Sequence, residues 1–122
     1  MALRDPEILR HTLRAEERSA LDAFVTEVKR SFADDLERVV LFGSRARGDS
    51  REDSDIDVLV LLRRPTTWED RRRAVAAAHA AQWRGDVFVA ISPLVLSVAD
   101  LEELRRRERL LAEDIDTQGI AL

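Results

Sequence analysis

Two apolar runs frame residues 39–62, which read VVLFGSRARGDSREDSDIDVLVLL. The first run ends at a turn made of Gly43 and Ser44, and the second begins inside an Asp55-x-Asp57 pair. Short apolar runs bounded by turn residues are typical of buried strands, so this stretch predicts a strand, a turn and a second strand. Because side chains alternate along a strand, Asp55 and Asp57 are expected to point to the same side.

The Asp55-x-Asp57 pair and the turn before it predict a phosphate and metal site. Two carboxylates at the edge of an apolar sheet repel each other and are costly unless a cation lies between them. Mg²⁺ prefers oxygen ligands and often uses one or two carboxylates together with substrate phosphates. Gly43 would let the backbone approach a phosphate closely, and Ser44 would donate a further hydrogen bond. The stretch therefore predicts a phosphate-binding turn that faces a magnesium site.

A P-loop is the main alternative for this turn, because Gly43 and Gly48 have the glycine spacing of that motif. The P-loop then requires a lysine, and Asp49 stands there instead. A carboxylate at that position would repel phosphates, so the P-loop is rejected. The nearby Glu52 and Asp53 are interpreted as solvated acids of the turn.

Three further residues are candidates for the same site. Asp86 follows Gly85 at the start of a third apolar stretch, where it is either a third carboxylate or an ordinary turn residue. A third carboxylate could serve as a metal ligand or as a general base. Arg47 and Arg45 lie between the turn and the pair, and a guanidinium suits phosphate geometry. For Arg47 a phosphate contact and a solvated position are equally compatible with the sequence, whereas for Arg45 solvation is favoured.

The rest of the chain predicts helices around a small sheet. The predicted elements are a helix over 15–33, a strand over 39–42, a short helical piece at 46–47, a strand over 56–62, a helix from a Thr66/Glu69 capping box to about residue 84, a strand over 87–91, a helix from Ser97 in two pieces broken near 105–107, and an edge strand over 120–122. This order predicts an α/β (α+β) fold with a small mixed β-sheet flanked by helices. We expect one domain over residues 1–122, with a loose lead-in over 1–12, and both Trp68 and Trp83 in the core.

The composition and net charge of the chain restrict the classes of protein to which it can belong. The chain has 122 residues, 45% hydrophobic and 36% charged, with a net charge of −4 and no cysteine. These values predict a soluble globular domain without disulfides or thiolate metal sites. The acidic balance argues against duplex nucleic acid as a partner. No apolar segment approaches the length of a membrane span and no signal-peptide pattern is seen, so a cytoplasmic location without membrane contact is expected.

The central motif resembles a known family. Gly43-Ser44, ten further residues and Asp55-x-Asp57 are similar to the Gly-Ser-x10-Asp-x-Asp signature of the MNT-type minimal nucleotidyltransferases, in the DNA polymerase β superfamily. The sequence LFGSRARG at 41–48 is close to the sequence that is usual for this motif in the family, and residues 119–122 resemble the family's C-terminal segment. The resemblance covers roughly residues 20 to 120.

The resemblance implies an enzyme that transfers a nucleoside monophosphate, AMP from ATP in the first place, to a hydroxyl with release of pyrophosphate. It implies ATP as substrate and two Mg²⁺ ions. Carried over to this chain, Gly43 and Ser44 would bind the nucleotide, with Arg47 as a further candidate. Asp55, Asp57 and Asp86 would be the catalytic carboxylates and metal ligands.

The resemblance also implies a partner. Many small members are encoded beside a HEPN-domain ribonuclease as a toxin–antitoxin pair, and characterised members neutralise the toxin by adding AMP to a tyrosine. The absence of tyrosine from this chain fits an enzyme that modifies a partner. Two alternatives stay open: a non-catalytic antitoxin that masks its partner, and a small-molecule (aminoglycoside-type) nucleotidyltransferase that needs a second subunit. Oligomerisation is compatible with each of them.

Overall fold

A four-stranded mixed sheet lies at the centre of the computed structural model, which describes residues 1–48 and 54–122. Four strands form this sheet: β1 (Leu36–Phe42), β2 (Ile56–Leu62), β5 (Ile91–Ser97) and β6 (Ile120–Ala121). Two further strands, β3 (Trp83–Arg84) and β4 (Val87–Phe88), pair only with each other. The sheet has the order β5-β2-β1-β6, in which β1 is antiparallel to β2 and β6, and β2 is parallel to β5. The predicted mixed sheet is confirmed. The interpretation of Glu52 and Asp53 concerns residues outside the described part of the chain.

Helices cover both faces of this sheet. They are α1 (Leu9–Thr12), α2 (Ala15–Phe32), α3 (Ser44–Arg47), α4 (Trp68–Ala81), α5 (Val98–Arg107) and α6 (Arg109–Glu113), followed by a π-helical turn (Asp114–Gln118). The break between α5 and α6 confirms the predicted two-piece helix, and Ser97 and Asp100 form its capping box. The predicted capping pair of α4 is wrong by one residue, since Thr67 and Asp70 form it. In the described residues, no helix combines the length and apolarity that crossing a membrane requires.

Strand alternation divides the sheet into two apolar faces. On one face, the buried side chains of β1 and β2 pack against α2 and α4; they include Val39, Leu41, Val58 and Val60. On the other, Val40, Phe42, Leu59 and Leu61 pack with Leu101 and Ile115 of the C-terminal segment. Asp57 has the same parity along β2 as Leu59 and Leu61. The alternation therefore directs Asp57 toward the C-terminal segment, where the π-helical turn lies.

The N-terminal segment packs against the core, whereas the sequence led us to expect a loose lead-in over 1–12. Leu9 and Leu13 are buried in the main core. Arg4 forms a bridge with Ile120, and its guanidinium donates to the carbonyl oxygen of Gln118. Leu9 within this polar segment and Leu13 directly after it are buried, and their burial anchors the segment.

The third apolar stretch forms a different structure from the predicted strand over 87–91. Strands β3 and β4 make a hairpin that turns at Gly85, whose φ is +64°. The strand beside β2 begins only at Ile91. Trp83 and Phe88 pack on each other across the hairpin, with ring centroids 5.2 Å apart, but both are largely exposed.

The prediction that both tryptophans lie in the core is wrong. Trp83 and Trp68 are 59% and 70% exposed. Trp68 lies under the Arg72 guanidinium, 5.5 Å from the ring centroid. The core is instead filled by aliphatic side chains, by Phe24 and Phe32, and by alanines of α4.

Hydrogen bonds of Asp70 connect the start of α4 to Arg64, just after the end of β2. Its buried carboxylate accepts hydrogen bonds from two guanidinium nitrogens of Arg64, at 2.8 and 3.0 Å, and from the Thr67 N–H at 2.9 Å. These bonds, Arg64 first, lower the pKa of Asp70 from 3.8 to about 2. Because hydrogen bonds to the charged form favour ionisation, the carboxylate stabilises the fold when it is charged.

We expect Asp70→Asn to lower the free energy of unfolding by about 2 kcal/mol at pH 7. The folded-state pKa lies below the unfolded value, so the contribution is present above pH 4 and is lost as the pH falls toward 2. The difference between wild type and variant in urea denaturation should shrink over that range. Glu69→Gln, which removes an exposed partner of Arg72, is the matched control with an expected effect below about 0.5 kcal/mol. A pH-independent difference would contradict the assignment.

Candidate active site

Gly43 brings the turn into close contact with Asp57. It follows β1, with φ +78° and ψ −161°, and precedes Ser44, the first residue of α3. The antiparallel register pairs Phe42 with Asp57. A Cβ on residue 43 would lie 2.5 Å from the Asp57 carboxylate oxygen Oδ2, closer than real contacts allow. Both the backbone conformation and the contact therefore require glycine.

The two carboxylates of the Asp55-x-Asp57 pair lie where β2 begins. Asp57 is half-buried within the strand, and Asp55 is exposed just before it. Burial is the main cause that raises the pKa of Asp57, and the charge of Asp55 raises it further. Arg47 opposes this effect and Asp114 adds to it. The negative charge on Asp57 is thus unfavourable in the protein alone, and a cation at this point would relieve it.

The donor set fits Mg²⁺. Asp55 and Asp57 supply carboxylate oxygens, the ligand type that Mg²⁺ prefers. Within residues 1–48 and 54–122, no group of three acidic or histidine side chains is arranged to hold a metal ion. Two carboxylates completed by substrate phosphates are an ordinary Mg²⁺ environment. The assignment of Asp55 and Asp57 as metal ligands stays a prediction with this physical support.

Asp86 lies away from the strand that neighbours the pair. It is exposed in the turn of the β3–β4 hairpin. The parallel register of β2 and β5 places Ser92 beside Asp57. Asp86 is not brought together with the pair, because the neighbouring strand begins at Ile91, four residues later than the sequence suggested. Its role as a third carboxylate stays a prediction from the resemblance.

Asp114 belongs to the site and was missed by the sequence reasoning. It begins the π-helical turn, and its carboxylate accepts hydrogen bonds from the Gly43 N–H at 3.0 Å and from Arg47 Nη1 at 2.8 Å. Arg47 is thus in contact with a carboxylate beside the turn, which fits its candidacy as a phosphate contact. Asp114 is one of several acids in the sequence EDID at 113–116, and nothing local distinguishes it from the others.

Arg45 is buried, which overturns the expectation of a solvated loop arginine. Its guanidinium makes an ion pair with Glu17 of α2, at 2.5 Å, and donates to the Ser54 carbonyl oxygen from Nε and Nη2. The side chains of Arg45 and Glu17 are 7% and 3% exposed. Because Ser54 directly precedes Asp55, this ion pair connects α2, the glycine turn and the entry to β2.

An open cleft of about 310 Å³ lies beside the pair on the side of Asp55. Its lining includes Arg14, Ser54, Asp55, Phe88 and Ala90. A cleft of about 500 Å³ between the N-terminal segment and α2 is larger, but it contains none of the predicted site residues. We regard the smaller cleft as the relevant one, because a reacting group must approach the carboxylates.

We expect Gly43→Ala to abolish the activity of this site and to lower the free energy of unfolding by about 2 kcal/mol. The added methyl group would displace the Asp57 carboxylate and strain the backbone. Gly48→Ala is the matched control, because Gly48 also has a positive φ, +83°, but its Cβ would meet no described atom within 4 Å. Both variants should lose stability in urea denaturation, whereas only the first should lose activity. Equal losses of activity would show that the contact with Asp57 is unimportant.

Comparison with known proteins supports the family resemblance that the central motif carries. The sequence profile of the nucleotidyltransferase domain family matches residues 21–87, more than half of the chain. A candidate protein adenylyltransferase of Methanocaldococcus jannaschii is 36% identical over 72 residues, which are 59% of this chain and 71% of that protein. Two further candidate protein adenylyltransferases of the same organism are 35% and 42% identical over 66% and 37% of this chain. The matches span only 55% and 45% of those two proteins.

Solved structures agree with the fold. A candidate minimal nucleotidyltransferase is 28% identical and aligns over 98% of this chain and 97% of that chain, with a TM-score of 0.52. A spectinomycin adenyltransferase from Enterococcus faecialis is 12% identical over 85% of this chain and 48% of that chain, with a TM-score of 0.56. The second likeness shows the fold alone. Together with the matched profile, the first confirms the resemblance carried by the Gly-Ser and Asp-x-Asp motif.

Proposed function

Because the chain belongs to the nucleotidyltransferase domain family and is a nucleotidyltransferase, we propose that it transfers AMP from ATP, with Mg²⁺, to a hydroxyl on a partner protein. The observation that carries the proposal is the contact between Gly43 and Asp57. It joins a turn suited to phosphates to a half-buried carboxylate whose pKa is raised by burial and by Asp55. A site that must hold triphosphate and Mg²⁺ together requires this juxtaposition.

Each residue of the site has a distinct task in this proposal. Gly43 and Ser44 hold the triphosphate through the turn, and Arg47 adds a guanidinium contact. Asp55 and Asp57 hold Mg²⁺ through their carboxylates. Bound there, Mg²⁺ would offset the negative charge of the phosphates.

The transfer itself is an in-line substitution at phosphorus. The acceptor hydroxyl oxygen forms a bond to the α-phosphorus, and the bond from that phosphorus to the α,β-bridging oxygen breaks. Pyrophosphate leaves with the bonding electron pair, and the hydroxyl proton passes to a carboxylate of the site. The chain's contribution is to hold the reacting groups in line and to place its charged groups beforehand.

We propose that the acceptor belongs to a HEPN-domain ribonuclease toxin, which the modification neutralises. Three observations support a protein acceptor. The matched relatives in M. jannaschii are candidate protein adenylyltransferases. The cleft beside Asp55 is open to the outside, so an external side chain can approach that carboxylate. The chain contains no tyrosine of its own that could compete as acceptor.

The test is transfer of labelled AMP. The purified protein would be incubated with Mg²⁺ and α-labelled ATP, alone and with its co-purified partner, beside Asp55→Ala/Asp57→Ala. We expect label on the partner with the wild type and none with the double variant. Absence of label under conditions where the pair still forms a complex would contradict the proposal. If the double variant still neutralised the partner, the protein would act by masking.

A further inference from the structure

Asp114 occupies a position at the nucleotide site that no motif assigns. Strand alternation turns Asp57 toward the C-terminal segment, and Asp114 is the acid of that segment that reaches the turn. One carboxylate oxygen, Oδ2, accepts from the Gly43 N–H at 3.0 Å. The other, Oδ1, accepts from Arg47 Nη1 at 2.8 Å. A single carboxylate thus contacts both the backbone of the turn and the arginine beside it.

This arrangement has an electrostatic cost. The side chain of Asp114 is only 15% exposed, and its charge contributes to the raised pKa of Asp57. An acid placed beside Asp57 and near the proposed triphosphate adds repulsion to a site that is already negative. Its two hydrogen bonds compensate for that charge locally. They also restrain Arg47, whose side chain is 40% exposed.

Restraint of an arginine matters for phosphate binding. A long exposed side chain loses conformational freedom when it is fixed on a ligand. If a second group already holds the guanidinium, less freedom is lost when the phosphate binds. The same reasoning applies to the Gly43 backbone, which has a conformation that only glycine tolerates easily.

We propose that Asp114 is a positioning residue for nucleotide binding, which holds the Arg47 guanidinium and, through the Gly43 N–H, the backbone of the turn in the geometry that receives the triphosphate. The inference rests on the proposed nucleotide site and extends it to the C-terminal segment. Asp114 acts through Arg47 and the turn and does not touch the reacting atoms. The π-helical turn at 114–118 therefore forms one wall of the nucleotide site.

Nucleotide binding without transfer tests this role directly. The probe is α,β-methylene-ATP with Mg²⁺, in which the bond broken by the reaction is replaced, and the measurement is Kd by calorimetry. We expect Asp114→Asn, which keeps the size and removes the charge, to weaken binding about tenfold. Asp116→Asn is the matched control, because Asp116 lies in the same turn and pairs with Arg105 through two hydrogen bonds, at 2.9 and 2.8 Å. It should leave the Kd unchanged within a factor of two.

A double-variant cycle distinguishes positioning from a general loss of structure. Arg47→Ala alone should weaken binding, and Asp114→Asn should add less than a twofold loss in the Arg47→Ala background. Equal effects of Asp114→Asn in both backgrounds, or tighter binding by Asp114→Asn, would overturn the inference. If Asp114→Asn binds like the wild type while Arg47→Ala is weakened, the inference fails and the nucleotide site stands. Absence of binding by the folded wild type would overturn both.

Discussion

Replacement of Asp55 or Asp57 by asparagine is expected to reduce AMP transfer roughly a thousandfold, which corresponds to about 4 kcal/mol of activation free energy. Each substitution keeps the size of the side chain and removes a charged ligand of the proposed Mg²⁺ site. The measurement is the initial rate of label transfer to the partner at saturating Mg²⁺. Asp86→Asn is the comparison, because Asp86 is exposed in the hairpin turn. Retained activity would identify Asp86 as an ordinary turn residue, and a loss equal to that of the pair would establish it as the third carboxylate.

Loss of activity in Asp57→Asn should not come from unfolding. Burial and Asp55 raise the pKa of Asp57 in the folded state. The folded protein therefore binds a proton more tightly there than the unfolded chain, and the wild type loses stability as the pH rises through this raised pKa. In the presence of EDTA, Asp57→Asn should equal or exceed the wild type in stability at pH 7, and the advantage should disappear in acid. A variant less stable than the wild type at pH 7 would contradict this account.

Glu17→Gln is expected to lower the free energy of unfolding by about 3 kcal/mol, the largest effect on stability that we expect from a single substitution in this protein. Glu17 and Arg45 form a buried ion pair at 2.5 Å. Removing one charge leaves the guanidinium of Arg45 buried without its counter-charge, and that penalty exceeds the value of the pair itself. The measurement is the urea midpoint at constant m-value.

The control for this prediction lies on the same helix. Glu27 pairs with Arg30 of α2, but both side chains are substantially exposed, at 40% and 73%. Glu27→Gln should therefore change stability by less than about 0.5 kcal/mol. If Glu17→Gln had an equally small effect, the Glu17–Arg45 pair would not be what fixes α2 to the turn. Replacing both partners, as in Glu17→Leu/Arg45→Met, should recover part of the loss because no unpaired charge remains.

The local signals of the sequence were sufficient for the centre of the fold. The apolar run that follows the Asp55-x-Asp57 pair predicted β2 with the bounds Ile56–Leu62 that the structure has. Ser97 predicted the start of α5, where it is the N-cap. Both depend on residues a few positions apart, whose preferences act before any tertiary contact forms.

Prediction from the sequence failed where a contact between residues far apart in the chain determines the local structure. The stretch after Gly85 has the composition of a strand, but Val87 and Phe88 pair with β3 in a hairpin, and the register with β2 begins only at Ile91. The neighbours of Arg45 in the sequence indicate a polar, solvated turn. Arg45 is nevertheless buried, because it pairs with Glu17, 28 positions away in the chain. Burial of a charged side chain depends on its partner, and the identity of a partner is not a local property.

By itself, then, the sequence determined a glycine turn, a pair of carboxylates on one side of a buried strand, and the nucleotidyltransferase family to which this combination belongs. Only the tertiary structure decided which groups surround the pair. Asp114 lies 71 positions from Gly43 and 67 from Arg47, and it reaches them because the C-terminal segment packs on the face of the sheet toward which Asp57 points. Strand periodicity specifies the direction of a side chain, whereas the packing of whole layers specifies what that side chain meets.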